Sequence, residues 1–214
     1  MPAVYLVRHG QTDANGDKDP GITALGIRQA EAAAAELVRR GVRRPLMLSG
    51  ALRRQVETAR AISSVAGIEL SPKAEPRFNE FDHEAILAAH SQMETLEGRD
   101  NRLLQAALDQ ALTAWISAQG REWEAFVNGA SQALDDLLRM TTAGQDAVVV
   151  TSGGVIAALC MRALSATPGS FVALNRMAVN ASITVLVAGS SGTHLLSYND
   201  HAHLRGGEEL LTYR

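Results

Sequence analysis

The sequence has one cysteine, Cys160, in 214 residues, so neither an internal disulfide nor a cysteine-rich zinc site can form. No apolar run approaches the roughly 20 residues of a membrane span, and the first residues lack the apolar stretch of a signal peptide. A basic excess is also missing, since 20 Lys and Arg face 23 Asp and Glu. We therefore expect a cytoplasmic protein that binds neither a membrane nor nucleic acid.

The composition is that of a globular protein, with 46% hydrophobic and 20% charged residues. At roughly 150 residues per domain, the length predicts a single domain over residues 1–214 with an insertion. Short β-forming runs such as 3–7 and 147–150 alternate with helical patterns, the first of which Thr23 can cap. This alternation predicts an α/β fold, a three-layer α/β/α sandwich with a mostly parallel central sheet.

The remaining elements follow from the same patterns. Further strands are expected near 45–48, 68–70, 182–187 and 193–198, and helices near 23–40, 52–65 and 153–161. The stretch 71–82 contains two prolines and is expected to be irregular. Residues 83–142 are rich in Ala, Leu and Gln without a strand pattern, which predicts an inserted helical cap broken near Gly98 and Gly120.

The first candidate site, Arg8-His9-Gly10, directly follows the first predicted strand. Ligands of open α/β sheets gather at the carboxyl ends of the strands. Arg8 offers a planar fork for phosphate or carboxylate, and His9 can act as a nucleophile on phosphorus. Gly10 lets the backbone approach a ligand closely. Taken alone, an Arg-His pair is more often structural than catalytic.

Four segments together resemble the histidine phosphatase superfamily, which includes phosphoglycerate mutases, acid phosphatases and phosphohistidine phosphatases. The first reads Arg-His-Gly-x-Thr-x-x-Asn over residues 8–15. The second segment, 22–30, contains Gly26. The third, 49–59, contains two adjacent arginines, and the fourth, 199–204, begins Asn-Asp-His. They occur in the family's order, so the resemblance covers nearly the whole chain.

The resemblance implies a phosphatase that hydrolyses phosphomonoesters through a phosphohistidine on His9, without a metal or other cofactor. Arg8 and Arg54 would clamp the phosphoryl oxygens, whose charge changes in the transition state. Arg54 is preferred because it stands four residues before Thr58, as in the family, and Arg53 is the alternative.

The resemblance also implies an acid and an asparagine at the site. A leaving alkoxide needs a proton donor, and Glu80 is the candidate general acid, with Asp82 and Glu84 as alternatives. The glycines and second Glu that usually follow in the family are absent. The alternative interpretation is that Glu80 is a surface carboxylate with no role in catalysis. Asn15 would orient the phosphate or its loop, or else form a turn.

The chain departs from the family at one position that bears on chemistry. Ser152, after the strand near 147–150, stands where the family has its second histidine, whereas the glycines and the helix that follow are present. The helix N-terminus remains an anion site, so we expect Ser152 and Gly153 to bind phosphate. Since removing one preorganised donor typically costs about 10²–10³ in rate, a slower phosphatase is expected.

Ser152 also defines the alternative function, a catalytically impaired phosphoryl-binding or regulatory protein. A mutase is less favoured, because the insertion does not resemble the longer mutase segments. Four histidines are candidates to replace the missing one: His83, His90, His201 and His203. Of these, His203 is expected to be structural, and His83 lies three residues after the proposed acid.

The insertion is expected to select the substrate, a small phosphorylated molecule or a phosphoprotein. Trp115 and Trp123 are two helical turns apart, which favours core packing over a pocket wall. Arg99 and Arg102 are candidates to meet a second anionic group, although exposed helix charges are the simpler interpretation. Cys160 is expected to be a buried apolar residue. The sequence does not indicate an oligomeric state.

Overall fold

The computed structural model describes residues 2–13, 17–68, 72–90, 101–118, 120–142, 144–205 and 210–213. The strands are β1 (Ala3–Arg8), β2 (Leu46–Ser49), β3 (Lys73–Ala74), β4 (Ala147–Thr151), β5 (Ile183–Gly189) and β6 (Gly192–Asp200). The helices are α1 (Ala24–Arg39), α2 (Arg53–Ala66), α3 (His83–His90), α4 (Asn101–Ser117), α5 (Arg121–Met140), α6 (Gly153–Ala163) and α7 (Ser170–Met177). Short 3-10 helices span Pro76–Phe78 and Ala202–Leu204.

The six strands form one sheet in the order β3-β2-β4-β1-β5-β6. β1, β2, β3 and β4 pair in parallel, whereas β5 runs antiparallel to both β1 and β6. β4 is buried along its whole length, as expected of a central parallel strand covered on both faces. The predicted α/β fold with a mostly parallel sheet is therefore confirmed.

Helices cover both faces of this sheet. On one face, apolar side chains of β1, β4 and β5 pack against α1 and α2, with Ala30, Ala34 and Ile62 fully buried. On the other face, alternate residues of the same strands pack against α5 and α6. A fully buried Val, Leu or Ile side chain, such as that of Ile62, contributes about 1.5–3 kcal/mol to stability. The result is the three-layer arrangement that the alternation of elements predicts.

A third apolar cluster lies between α3, α4, α5, α6 and α7. Its aromatic members, called the aromatic cluster below, are Phe81, Trp115, Trp123, Phe126 and Phe171. The two tryptophan rings meet edge to face with centroids 5.1 Å apart, an arrangement that favours aromatic pairs. The prediction that both tryptophans pack in a core is confirmed.

The structure differs from the predicted elements in two places. The strand expected at 68–70 is absent at Ile68, and positions 69 and 70 lie outside the described residues. The strand that pairs with β2 is instead β3, inside the stretch expected to be irregular. Helix α7 was not predicted, because eight residues are too few for a clear period and Phe171 anchors the helix by tertiary contact in the aromatic cluster.

Other predicted boundaries agree with the structure. Thr23 caps α1, since its Oγ1 accepts from the Gly26 amide at 3.0 Å. α5 begins directly after Gly120, whereas Gly98 lies outside the described residues. In the ranges given above, no helix is long and apolar enough to cross a membrane.

Candidate active site

The candidate active site lies at the carboxyl ends of three neighbouring strands, β2, β4 and β1. The His9 amide donates to the Thr151 carbonyl at 2.9 Å, and the Gly50 amide donates to the Val150 carbonyl at 2.9 Å. Pairing therefore continues beyond the strands into the loops that follow them. This brings the first loop, the start of α2 and the start of α6 to one edge of the sheet, where ligands of such sheets bind.

A pocket at this edge is lined by Arg8, His9, Arg54, Glu80, Phe81, Gln105, Leu108, Asn175, Arg176 and Ala178. Four of these residues, Arg8, His9, Arg54 and Glu80, were proposed from the sequence for phosphoryl chemistry, and they come from three segments spread over more than 70 positions of the chain. The structure thus brings the candidate nucleophile, both candidate phosphate clamps and the candidate acid around one cavity.

The ring of His9 is buried and held by the backbone. Its Nδ1 lies 2.8 Å from the Gly10 carbonyl oxygen. A carbonyl oxygen only accepts, so Nδ1 must carry the proton and donate. In the neutral ring, Nε2 then carries the lone pair.

Gly10 is required by a neighbouring helix. A Cβ at Gly10 would lie 2.9 Å from both the Cα and the carbonyl carbon of Gly26 on α1, and closer to the oxygen. Gly10 therefore allows the loop to pack closely against α1, whereas the sequence suggested that it allows the backbone to approach a ligand. The Gly10 amide donates to Thr58 Oγ1 at 3.0 Å, and that hydroxyl donates to the Arg54 carbonyl at 2.7 Å. Thr58 thus ties the loop of His9 to α2.

The two adjacent arginines of α2 lie in different surroundings. The Arg54 side chain is 11% exposed, faces the pocket and lies 3.6 Å from Asp19. The Arg53 side chain is 59% exposed and forms a 2.8 Å ion pair with Glu57. Arg8 is buried, and its guanidinium donates to the Ala178 carbonyl. The structure therefore brings Arg8 and Arg54 to the pocket and leaves Arg53 at the surface.

Glu80 lies at the N-terminus of α6. Its Oε2 accepts from the Gly154 amide at 3.0 Å, and its Oε1 accepts from the Phe81 amide at 3.2 Å. Of the alternative acids, Asp82 accepts from the Ala85 amide at 3.0 Å and so caps α3. Asp82 and Glu84 line a neighbouring hollow rather than the pocket of His9.

Ser152 does not reach this pocket. Its side chain is fully buried, and its Oγ accepts from Gln55 Nε2 at 2.9 Å. Gln55 Nε2 also donates to the Phe78 carbonyl at 3.0 Å. The expectation that the Ser152 side chain binds phosphate therefore disagrees with this geometry, because Gln55 of α2 holds the hydroxyl inside the protein. Gly153 lies beside the pocket, where its Cβ position is 3.8 Å from Arg8 Nε.

The four spare histidines are dispersed. His83 lines the hollow beside the pocket, and His90 lines another hollow between α3, α4 and α5. His201 Nδ1 contacts the Asn199 carbonyl at 2.6 Å. His203 Nε2 contacts the Ala181 carbonyl at 3.0 Å, and burial lowers the pKa of His203. This position agrees with the structural role expected for His203.

Three polar residues of the pocket were missed in the sequence: Gln105 on α4, and Asn175 and Arg176 on α7. Asp109 of α4 joins the two helices, since its Oδ2 pairs with Arg176 of α7 at 3.1 Å. Its Oδ1 accepts from Gln105 Nε2 on the same helix at 2.8 Å. Only the Thr-Pro-Gly turn at 167–169 hinted that a helix follows it.

The remaining candidates fall elsewhere. Arg102 is on α4 but is not among the residues that line the pocket, and Asn15 and Arg99 lie outside the described residues. Within the described ranges, no group of three or more His, Cys, Asp or Glu is arranged to hold a metal ion. Cys160 is fully buried, and burial raises the pKa of its thiol to about 12.

A buried histidine, two arginines and a carboxylate that line one pocket form a site suited to phosphoryl transfer. The chain belongs to the histidine phosphatase superfamily (branch 1), whose family model matches residues 4–201. A probable phosphoglycerate mutase GpmB from Proteus mirabilis is 34% identical over 88 residues, which are 38% of this chain and 39% of that protein. The chain thus matches well under half of this curated relative's length.

Solved structures share the fold over nearly the whole chain. A mutant phosphoserine phosphatase from Entamoeba histolytica, in complex with phosphoserine, is 21% identical with a TM-score of 0.70, covering 95% of this chain and 100% of that one. A mycobacterial glucosyl-3-phosphoglycerate phosphatase is 24% identical with a TM-score of 0.69, covering 94% and 100%. The Bacillus stearothermophilus protein YhfR is 18% identical with a TM-score of 0.72, covering 96% and 100%.

Proposed function

We propose that the protein is a metal-independent phosphatase that hydrolyses a small phosphomonoester through a phosphohistidine on His9. The contact that carries this proposal is the one between His9 Nδ1 and the Gly10 carbonyl. It fixes the tautomer in which Nε2 is the nucleophile, so the ring needs no base to activate it. Membership of the superfamily supports the phosphatase class.

The first half-reaction transfers the phosphoryl group to the protein. Arg8 and Arg54 hold its oxygens by charge-assisted hydrogen bonds, which act strongly in a partly buried pocket. The Nε2 lone pair of His9 forms the bond to phosphorus while the bond from phosphorus to the ester oxygen breaks. Protonated Glu80 gives its proton to that oxygen, and the alcohol leaves.

The second half-reaction restores the protein. The Glu80 carboxylate accepts a proton from water as the water oxygen attacks phosphorus. The bond between phosphorus and Nε2 breaks, the electron pair returns to His9, and inorganic phosphate leaves. Glu80 ends protonated and His9 neutral, so the next cycle starts from the same state.

The test is hydrolysis of p-nitrophenyl phosphate from pH 4.5 to 8 in the presence of EDTA, with the wild type beside His9→Ala. We expect turnover by the wild type and none by the variant. Rapid quenching into base, followed by mass spectrometry, should detect one added phosphoryl group on the peptide that contains His9. Wild-type turnover in His9→Ala would refute the nucleophile.

The general acid is tested by changing the leaving group. An alkyl phosphate releases a more basic oxygen than p-nitrophenyl phosphate and so depends more on protonation. Glu80→Gln should therefore slow alkyl phosphate hydrolysis more than p-nitrophenyl phosphate hydrolysis. Asp82→Asn and Glu84→Gln are the matched controls, and the same pattern in either one would assign the acid to that residue instead.

A second candidate function is a phosphoryl-binding protein without useful turnover. The burial of Ser152 favours it, because the hydroxyl that replaces the family's histidine does not face the pocket. The two candidates are separated by calorimetry with inorganic phosphate and vanadate. Binding without turnover in the wild type would establish the second function, whereas turnover lost in His9→Ala establishes the first.

A further inference from the structure

The side chain of Asn175 forms part of the pocket wall next to the start of α6. The hydroxyl of Ser152, which precedes that helix, does not face the pocket. Asn175 is on α7, and its Oδ1 lies 2.9 Å from the point where Gly153 would place a Cβ. Arg8 Nε lies 3.8 Å from the same point. The Asn175 side-chain oxygen is therefore beside the start of α6, and a nitrogen of the candidate phosphate clamp Arg8 is near the same point.

The side-chain amide of Asn175 is available to bind a ligand. The residue is half-buried and lines the same pocket as His9, Arg8 and Arg54. Its side chain forms no hydrogen bond with the rest of the described chain, whereas the hydroxyl of Ser152 is engaged inside the protein by Gln55. A half-buried amide that faces a pocket without a protein partner is suited to a polar ligand.

The backbone that follows Asn175 is tied to Arg8, the candidate phosphate clamp at the end of β1. The carbonyl of Ala178, three residues later, accepts from the Arg8 guanidinium. The Ala178 amide donates to the Asn175 carbonyl at 3.3 Å. Phe171, one turn earlier on α7, is fully buried in the aromatic cluster. The amide is thus held on a helix anchored at both ends, as a preorganised donor must be.

We propose that Asn175 is a catalytic residue whose Nδ2 donates a hydrogen bond to an oxygen of the transferred phosphoryl group. This inference rests on the proposed phosphatase function. The donor comes from α7, outside the strand-turn-helix segment that contains Ser152. An amide does not titrate in the working range, so this contact persists at every pH at which His9 is neutral.

The test compares Asn175→Ala with Asn128→Ala, a matched asparagine on the exposed side of α5. We expect Asn175→Ala to lower kcat for p-nitrophenyl phosphate about 10²–10³-fold, as for other preorganised donors, and to weaken vanadate binding. Asn128→Ala should match the wild type in both measurements. Circular dichroism and thermal unfolding should show that Asn175→Ala is folded.

The pH dependence of kcat in Asn175→His distinguishes a contact with the phosphoryl group from a purely structural role. An imidazole at this place can again donate to the phosphoryl group, and its charge changes near pH 6.5. We expect the variant to recover activity relative to Asn175→Ala and to gain a pH dependence of kcat that the wild type lacks.

Two results would overturn the proposal: kcat unchanged in Asn175→Ala, or a lower kcat with unchanged vanadate affinity. If the wild type itself shows no turnover, the phosphatase function fails, but the vanadate comparison still decides the role of Asn175. In that case, equal vanadate affinity in the wild type and Asn175→Ala refutes the contact.

Discussion

Replacing Gly154 by alanine should damage stability and catalysis together, because Glu80 and Phe81 lie directly against this glycine. The new Cβ would lie 2.7 Å from Phe81 Cδ1 and closer still to Glu80 Oε1. Carbon atoms normally sit about 3.5–4.0 Å apart, so roughly 1 Å must be regained by movement. Phe81 cannot retreat easily, since its ring lies 5.6 Å from Trp115 and 5.7 Å from Phe126 between centroids.

The expected magnitudes follow from that crowding. Overpacking a well-filled site typically costs about 1–3 kcal/mol, which urea unfolding monitored by circular dichroism will measure. A displacement of about 1 Å in a catalytic group costs about 10²-fold in rate. Gly154→Ala should therefore show a kcat about 10²-fold below that of the wild type in alkyl phosphate hydrolysis, the assay most sensitive to Glu80.

Gly129→Ala is the matched control. Gly129 is also inside a helix, α5, but its Cβ position has no atom within 4 Å. Alanine is there expected to stabilise the helix by about 0.5–1 kcal/mol and to leave kcat unchanged. If Gly154→Ala has the same stability and kcat as the wild type, Gly154 is not needed to make room for Glu80.

Three further predictions concern the two adjacent arginines of α2, the buried thiol of Cys160 and the buried imidazole of His203. Arg54→Ala should lower kcat about 10²–10³-fold in p-nitrophenyl phosphate hydrolysis. Arg53→Ala removes only surface ion pairs with Asp17 and Glu57, so kcat should stay unchanged and the midpoint of urea unfolding should hardly move. Cys160 should resist a thiol-specific reagent in the folded protein and react after unfolding in urea, because burial raises its pKa to about 12 and removes it from solvent. His203 has a lowered pKa in the folded state, so the unfolded state binds the proton more tightly and stability should fall as the pH drops below about 6.5. The slope of the melting temperature between pH 7.5 and 5.5 should be smaller in His203→Gln.

Each of these predictions has a contrary result. Equal losses in the two arginine variants would remove the distinction between the pocket and the surface of α2. Rapid labelling of Cys160 without denaturant would show that α6 opens in the native state. Identical slopes in the wild type and His203→Gln would assign the acid sensitivity to other groups.

The parts of the site that could be predicted depend on local pattern. The run before Arg8 is β-forming and apolar, and a loop at the carboxyl end of such a strand is a general place for ligands. Thr23 has the hydroxyl and the position of a helix cap, which the contact with Gly26 confirms. In both cases, the residues that determine the structure are neighbours in the chain.

The orientation of Ser152 could not be predicted in this way. Its hydroxyl is held by Gln55, a fully buried residue of α2 that is 97 positions away. The position of Asn175 depends on α7, a short helix placed by contacts of Phe171 with distant aromatic rings. Such contacts appear only when the tertiary structure brings the segments together, so no local period reveals them.

The aromatic cluster has an optical consequence. Both tryptophans of the chain lie in it, and Trp115 contacts the ring of Phe81, which also lines the pocket of His9. Trp115 is therefore one side chain away from the candidate active site, and Trp123 contacts Trp115. Intrinsic fluorescence can follow occupancy of the pocket directly, without an attached dye, and a stopped-flow trace would time the binding of phosphate or vanadate.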